Sequence, residues 1–129
     1  MSDTHAYSNG KIVIKKSPIH GIGVFTTQDI RSGEFIEECP FLICSNRGNA
    51  VSARLGSYLY ASEVIEDGKK IDGYVLLLGY GSLYNHSDQN NVEYTKNIEK
   101  GTFTYFAKRD IAADSELTIL YKNNAFATT

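Results

Sequence analysis

Turn-forming residues cut this chain into short pieces, and that spacing decides its fold class. Pro18, Gly21, Gly23, Gly33 and Pro40 interrupt the first third so often that the apolar stretches between them have strand length, not helix length. The expected strands there are Lys11 to Lys16, Gly23 to Thr26, Glu34 to Glu38 and Phe41 to Cys44. Ala50 to Glu63 contains no proline and sets Leu55, Tyr58, Leu59 and Ser62 near helical spacing, which predicts a helix. Gly68 to Gly73 reads as a polar turn before an apolar strand, Tyr74 to Leu78, and Gly79-Tyr80-Gly81 opens an irregular segment. Val92 to Asn97 and Thr102 to Ala107 flank the turn Ile98 to Gly101 and predict a hairpin, with Glu116 to Leu120 as a last short strand. Many short strands with one or two helical turns make a mainly β domain.

At 129 residues there is room for one core. Residues 1–10 are polar and aperiodic and read as a flexible arm; residues 11–129 read as a single domain. The chain is 42% hydrophobic and 22% charged, a balance that supports a packed core and argues against disorder. A net charge of -2 provides no basic field for phosphates, so direct nucleic-acid binding is not expected. The only cysteines, Cys39 and Cys44, are too few for a zinc cluster or a disulfide framework and read as apolar packing residues of an intracellular protein. Val75 to Leu78, the longest apolar run, is far too short to span a bilayer, so a soluble protein is expected. Glu37-Glu38 reads as a solvated strand end, or as acidic residues that greet a basic peptide.

Three segments carry chemistry: Gly21-Ile22-Gly23, Asn85-His86-Ser87 and Glu116-Leu117-Thr118-Ile119-Leu120-Tyr121. Each is weak alone, since a Gly-x-Gly is more often a turn than a ligand cradle and Asn-His-Ser serves as a capping turn. In this order and spacing they resemble the core motifs of the SET domain. The likeness extends to Gly23-Val24-Phe25, Asp29-Ile30, Gly33-Glu34 and Phe106 to Ile111, and covers roughly Lys11 to Tyr121. The short length and the stretch Leu78 to Ser87 are most similar to compact viral and bacterial SET proteins, which include histone lysine methyltransferases. The resemblance implies a SET-domain fold of several small β-sheets with short helices and a C-terminal pseudoknot that brings Asn85 beside Tyr121. It also implies an S-adenosylmethionine-dependent protein-lysine N-methyltransferase with no metal, acting on a histone tail or another Lys-rich protein. A nuclear location follows if the substrate is a histone, and the compact viral relatives suggest a homodimer.

By matching motifs, Gly21, Ile22 and Gly23 are expected to present backbone groups to the cofactor, with Tyr84, Asn85 and His86 holding its ammonium and adenine. His86 reads equally well as a loop histidine bonded within its own turn. Tyr121 matches the tyrosine that closes the channel at the methyl group. Tyr58 resembles a second channel tyrosine, or is a core aromatic; Tyr94, nine residues after Asn85, lines the channel or forms a cross-strand pair. Phe126 matches a tail aromatic that covers the adenine, with fraying of the last residues as the competing reading. The chemistry demands such a site: at pH 7 only about one lysine in 2,500 is neutral, at a cost of roughly 4.6 kcal/mol, which burial among aromatic rings beside a cationic sulfonium reduces. The sequence also departs from the family pattern. Asp88, Gln89, Asn90 and Asn91 follow Asn-His-Ser where a proline is usual, Lys122 replaces a glycine, Ile119 stands where Phe or Tyr is frequent, and Ile22 replaces an aromatic ring. The weakened tail leaves open a catalytically weak SET-derived module that binds peptide or cofactor only. A plain β-rich interaction domain requires all three motifs to be coincidence.

Overall fold

The computed structural model describes residues 7–8, 10–44 and 53–121. Its strands are β1 (Tyr7–Ser8), β2 (Ile12–Lys16), β3 (Ile22–Thr26), β4 (Phe35–Cys44), β5 (Tyr60–Glu66), β6 (Lys69–Leu77), β7 (Asn85–His86), β8 (Val92–Asn97), β9 (Thr102–Ala107) and β10 (Glu116–Ile119). One short helix, α1 (Ala53–Gly56), and a single 3-10 turn at Gly81–Leu83 complete the described elements. The chain is mainly β, in several small sheets, as the turn spacing predicts. Two residues of the expected arm, Tyr7 and Ser8, pair with Glu38 and Glu37 of β4.

The larger sheet runs β5-β6-β4-β9-β8, with β1 also on β4. The β8–β9 hairpin falls where alternation placed it, with Tyr94 opposite Tyr105. The two strands expected on either side of Pro40 are one strand. β4 changes neighbour there, pairing with β9 up to Pro40 and with β6 from Phe41 onward. A residue without an N–H is tolerated at that switch, and the Pro40 carbonyl still accepts from the Leu78 N–H at 2.9 Å.

The helix expected over Ala50 to Glu63 is not observed as such: within the described residues helix covers only Ala53–Gly56, and the chain is a strand from Tyr60. Period two wins over the apparent helical spacing because Tyr60, Ser62 and Val64 alternate inward and all seven residues of β5 find partners on β6. The intervening turn is Asp67-Gly68, with φ of 54° and 76°, not the whole of Gly68 to Gly73. A two-residue hairpin turn of type I′ needs two left-handed residues in succession, which Asp-Gly provides.

The smaller sheet, β2-β3-β10-β7, positions the site. β10 is antiparallel to β3, with Leu117 opposite Val24, and parallel to β7, with Thr118 opposite Asn85 and Ile119 opposite His86. The three motifs, far apart in sequence, are therefore rungs of one ladder. Val24, Leu117 and Ile119 bury the inner face of this sheet in one core with Ile36, Phe103 and Tyr105 from the larger one and with Ile30 from the segment between β3 and β4. Among the described residues no helix is long and apolar enough to cross a membrane.

Candidate active site

The approach to the first glycine motif is fixed by Ser17. Its N–H donates to the Gly21 carbonyl at 2.7 Å, while its Oγ accepts from the Ile19 and His20 N–H groups at 2.9 and 3.3 Å. Gly21 closes this turn with φ of 50°, a conformation that favours glycine. The Ser17 hydroxyl itself donates to the Glu116 carboxylate at 2.9 Å, tying the loop to β10.

Glu116 is the hub of the three motifs. Besides Ser17 it accepts from Asn85 Nδ2 at 2.9 Å, and that same amide nitrogen lies 3.1 Å from the His20 carbonyl and 3.0 Å from the Ile22 carbonyl. Reversing the amide would set its oxygen against three oxygens, so the orientation of Asn85 is determined by its surroundings. Among the described residues nothing donates to Oδ1, the atom left with acceptor capacity. Gly23 has a different role from its partner glycine. A Cβ there would stand 2.2 Å from Glu116 Oε2, so its bare backbone lets β3 approach the carboxylate.

Tyr121 follows β10 and is anchored twice. Its hydroxyl donates to the Tyr84 carbonyl at 3.1 Å, and its N–H donates to His86 Nδ1 at 3.0 Å. A nitrogen that accepts carries no proton, so the His86 hydrogen sits on Nε2, 3.0 Å from Asp88 Oδ1. Burial, with smaller contributions from Tyr58 and Glu116, pushes the Tyr121 hydroxyl above its ordinary pKa, so it stays protonated at neutral pH.

A cavity of about 200 Å³ opens where these segments meet. Gly21 and Ile22 line it from one side, Tyr84, Asn85 and Tyr121 from another, and Tyr58 closes it. Six residues singled out from sequence thus share one cavity. Gly23 and His86 stand behind its wall, the former against Glu116 and the latter bonded to the Tyr121 main chain. Tyr94 stands elsewhere, opposite Tyr105 in the hairpin and stacked on Phe103 at 5.4 Å between ring centres. Phe126 and Lys122 lie outside the described residues. The loop without its proline is held by other bonds: Arg109 donates to the Asn90 and Gln89 carbonyls, and Asn91 both accepts from the Thr118 N–H and donates to the Glu116 carbonyl, at 2.9 Å each.

Sequence reading missed Ser17 and Glu37, and gave Glu116 no role beyond opening its motif. Ser17 and Glu116 act on residues 99 and 31 positions away, beyond any local pattern. Glu37, read with Glu38 as a solvated strand end, is instead 2% exposed, and Glu38 pairs with Lys100 at 3.0 Å. The signal existed for Glu37: it alternates with Cys39, a position assigned to the core.

Three motifs on adjacent strands, converging on a tyrosine-walled cavity, define a class, and the chain belongs to the SET domain family, which matches residues 21–122. Among its relatives is the Schizosaccharomyces pombe histone-lysine N-methyltransferase, H3 lysine-37 specific, 30% identical over 121 residues that span 86% of this chain and 78% of the relative. The crystal structure of a Plasmodium falciparum protein named as a candidate histone methyltransferase superposes with a TM-score of 0.66 at 34% identity, over 88% of this chain and 94% of that one.

Proposed function

We propose that this protein is an S-adenosylmethionine-dependent protein-lysine N-methyltransferase whose substrate is a histone tail or another Lys-rich segment. The observation that carries the reading is the fixed amide of Asn85 in the cavity shared with Tyr58, Tyr84 and Tyr121. Its donors are spent on the His20 and Ile22 carbonyls and the Glu116 carboxylate, and the oxygen that remains suits the ammonium of the cofactor. The lining fits in other respects: Gly21 and Ile22 bring main chain to the cavity wall, and no lysine or arginine stands among its described lining residues to oppose a sulfonium. When bound, the cofactor supplies an electrophilic methyl group.

The chain's own residues prepare the nucleophile. Tyr58, Tyr84 and Tyr121 replace water around the target amine, which disfavours its charged form. The Tyr121 hydroxyl gives its hydrogen to the Tyr84 carbonyl, so toward a bound amine and methyl group its oxygen would act as an acceptor. Because burial raises its pKa, Tyr121 orients and does not remove the proton; the amine loses that proton to solvent. Alignment, not bond-making by a side chain, is then the main contribution.

The test is transfer of isotopically labelled methyl groups to histones or other Lys-rich proteins, read by mass spectrometry. Tyr121→Phe is expected to reduce transfer at least about tenfold with the fold retained. Full activity in that variant removes the role given to Tyr121, and cofactor binding with no transfer to any Lys-rich protein favours a binding module.

A further inference from the structure

A buried carboxylate lies one layer behind the cavity. Glu37 is 2% exposed, and among the described residues it makes no ion pair. Burying such a group is unfavourable unless hydrogen bonds replace water, and an apolar side chain of similar volume would pack as well at less cost. Its position follows from an irregularity in β4: the register with β9 shifts between Phe35 and Glu37, and the successive residues Ile36 and Glu37 are both buried. Such bulges re-aim side chains.

Besides the Cys39 thiol of its own strand, two donors reach this carboxylate, both from one segment. The Tyr84 hydroxyl donates to Oε2, and the Tyr80 N–H donates to Oε1 at 3.2 Å. These groups bracket the turn Gly81–Leu83, which is closed by the Leu83 N–H on the Tyr80 carbonyl at 2.8 Å. Ser82, Leu83 and Tyr84 line the cavity, Asn85 follows directly, and the Tyr84 carbonyl accepts the Tyr121 hydroxyl. The Tyr84 ring is further stacked on Tyr105 with centres 4.9 Å apart.

We infer that Glu37 is a positioning residue: it clamps both ends of the Tyr80–Tyr84 segment and thereby sets the carbonyl that holds Tyr121 and the strand that carries Asn85. The inference rests on the role proposed above for Tyr121. It touches neither the cavity nor a reacting atom, and acts through Tyr84.

Three variants test it, with kcat counted per cofactor-binding site and thermal unfolding followed in parallel. Glu37→Leu strands the Tyr84 hydroxyl, and both stability and kcat are expected to fall, kcat by at least about tenfold. Glu37→Leu combined with Tyr84→Phe removes the stranded hydroxyl; stability is expected to recover while kcat stays about tenfold down, with KM for peptide within about twofold of the parent. Glu37→Gln offers its oxygen to the Tyr80 N–H and its amide to the Tyr84 oxygen, and is expected to keep kcat within about threefold. Parental kcat in the double variant, or a Gln variant as slow as Glu37→Leu, overturns the clamp. Tyr121→Phe in the same assay separates the two ideas. If it is slow while the double variant is fast, only the clamp fails; if it is fast, the reading of the site fails.

Discussion

Substituting alanine for Gly23 drives a methyl group into the hub of the site. The new Cβ would lie 2.2 Å from Glu116 Oε2, 3.0 Å from its Cδ and 3.1 Å from Asn85 Nδ2. Ordinary contact begins near 3.4 Å, so the carboxylate must retreat by more than 1 Å. Retreat is resisted by the Ser17 hydroxyl at 2.9 Å and the Asn85 amide at 2.9 Å, both of which lose their acceptor. Overpacking costs about 1–3 kcal/mol and each of the two stranded partners about 1–3 more, so a loss of roughly 3–9 kcal/mol is expected. For a domain of this size that lowers Tm by on the order of 10 °C or more. Thermal unfolding gives the stability, and calorimetric titration with S-adenosylmethionine reports the disturbance at Asn85. The control is Gly23→Ala combined with Glu116→Ala, which removes the obstruction: the double variant should be no less stable than Glu116→Ala alone. An unchanged Tm and cofactor affinity in Gly23→Ala, or full additivity in the double variant, would refute the close-approach argument.

Two further outcomes follow from buried hydroxyls. Tyr60→Phe removes a hydroxyl that donates to the Gly81 carbonyl at 2.7 Å and accepts from Tyr105 at 3.0 Å, and is expected to lower stability by about 1–3 kcal/mol in denaturant titration; a change below about 0.5 kcal/mol contradicts that. The rate of methyl transfer should climb about tenfold per pH unit until the amine is neutral. Because the Tyr121 pKa is raised, the hydroxyl remains protonated across that climb and brings no early decline; a flat profile from about pH 6 to 9 would show that amine deprotonation does not limit the rate.

What the sequence made legible was local. The β8–β9 hairpin could be read because alternation and turn sit within sixteen residues, and the motif residues because their types and order are distinctive. The segment from Ala50 misled because Leu55, Tyr58 and Leu59 satisfy a helical spacing while β5 draws its stability from β6, a partner not visible in a short window. Asp67-Gly68 holds the hairpin signal, but the polar stretch Gly68 to Gly73 takes in only its second residue. Glu37, and the role of Glu116 within its motif, escaped for a related reason. A carboxylate looks solvated until its donors are known, and those donors, Tyr84 for one and Ser17 for the other, are 47 and 99 positions away.

The placement of β10 between β3 and β7 has a consequence for biosynthesis. A ribosome-bound chain that has not yet exposed residues 116–119 lacks the rung that joins the other two, and only the Asn85 amide on the His20 and Ile22 carbonyls is left to bridge the Ser17 loop and the Asn85 strand. Competence therefore arrives in one late event, after a closure spanning most of the polypeptide, and such distant closures are slow. Truncation ahead of that rung is expected to leave Ser17 and Asn85 without the Glu116 carboxylate to which both donate.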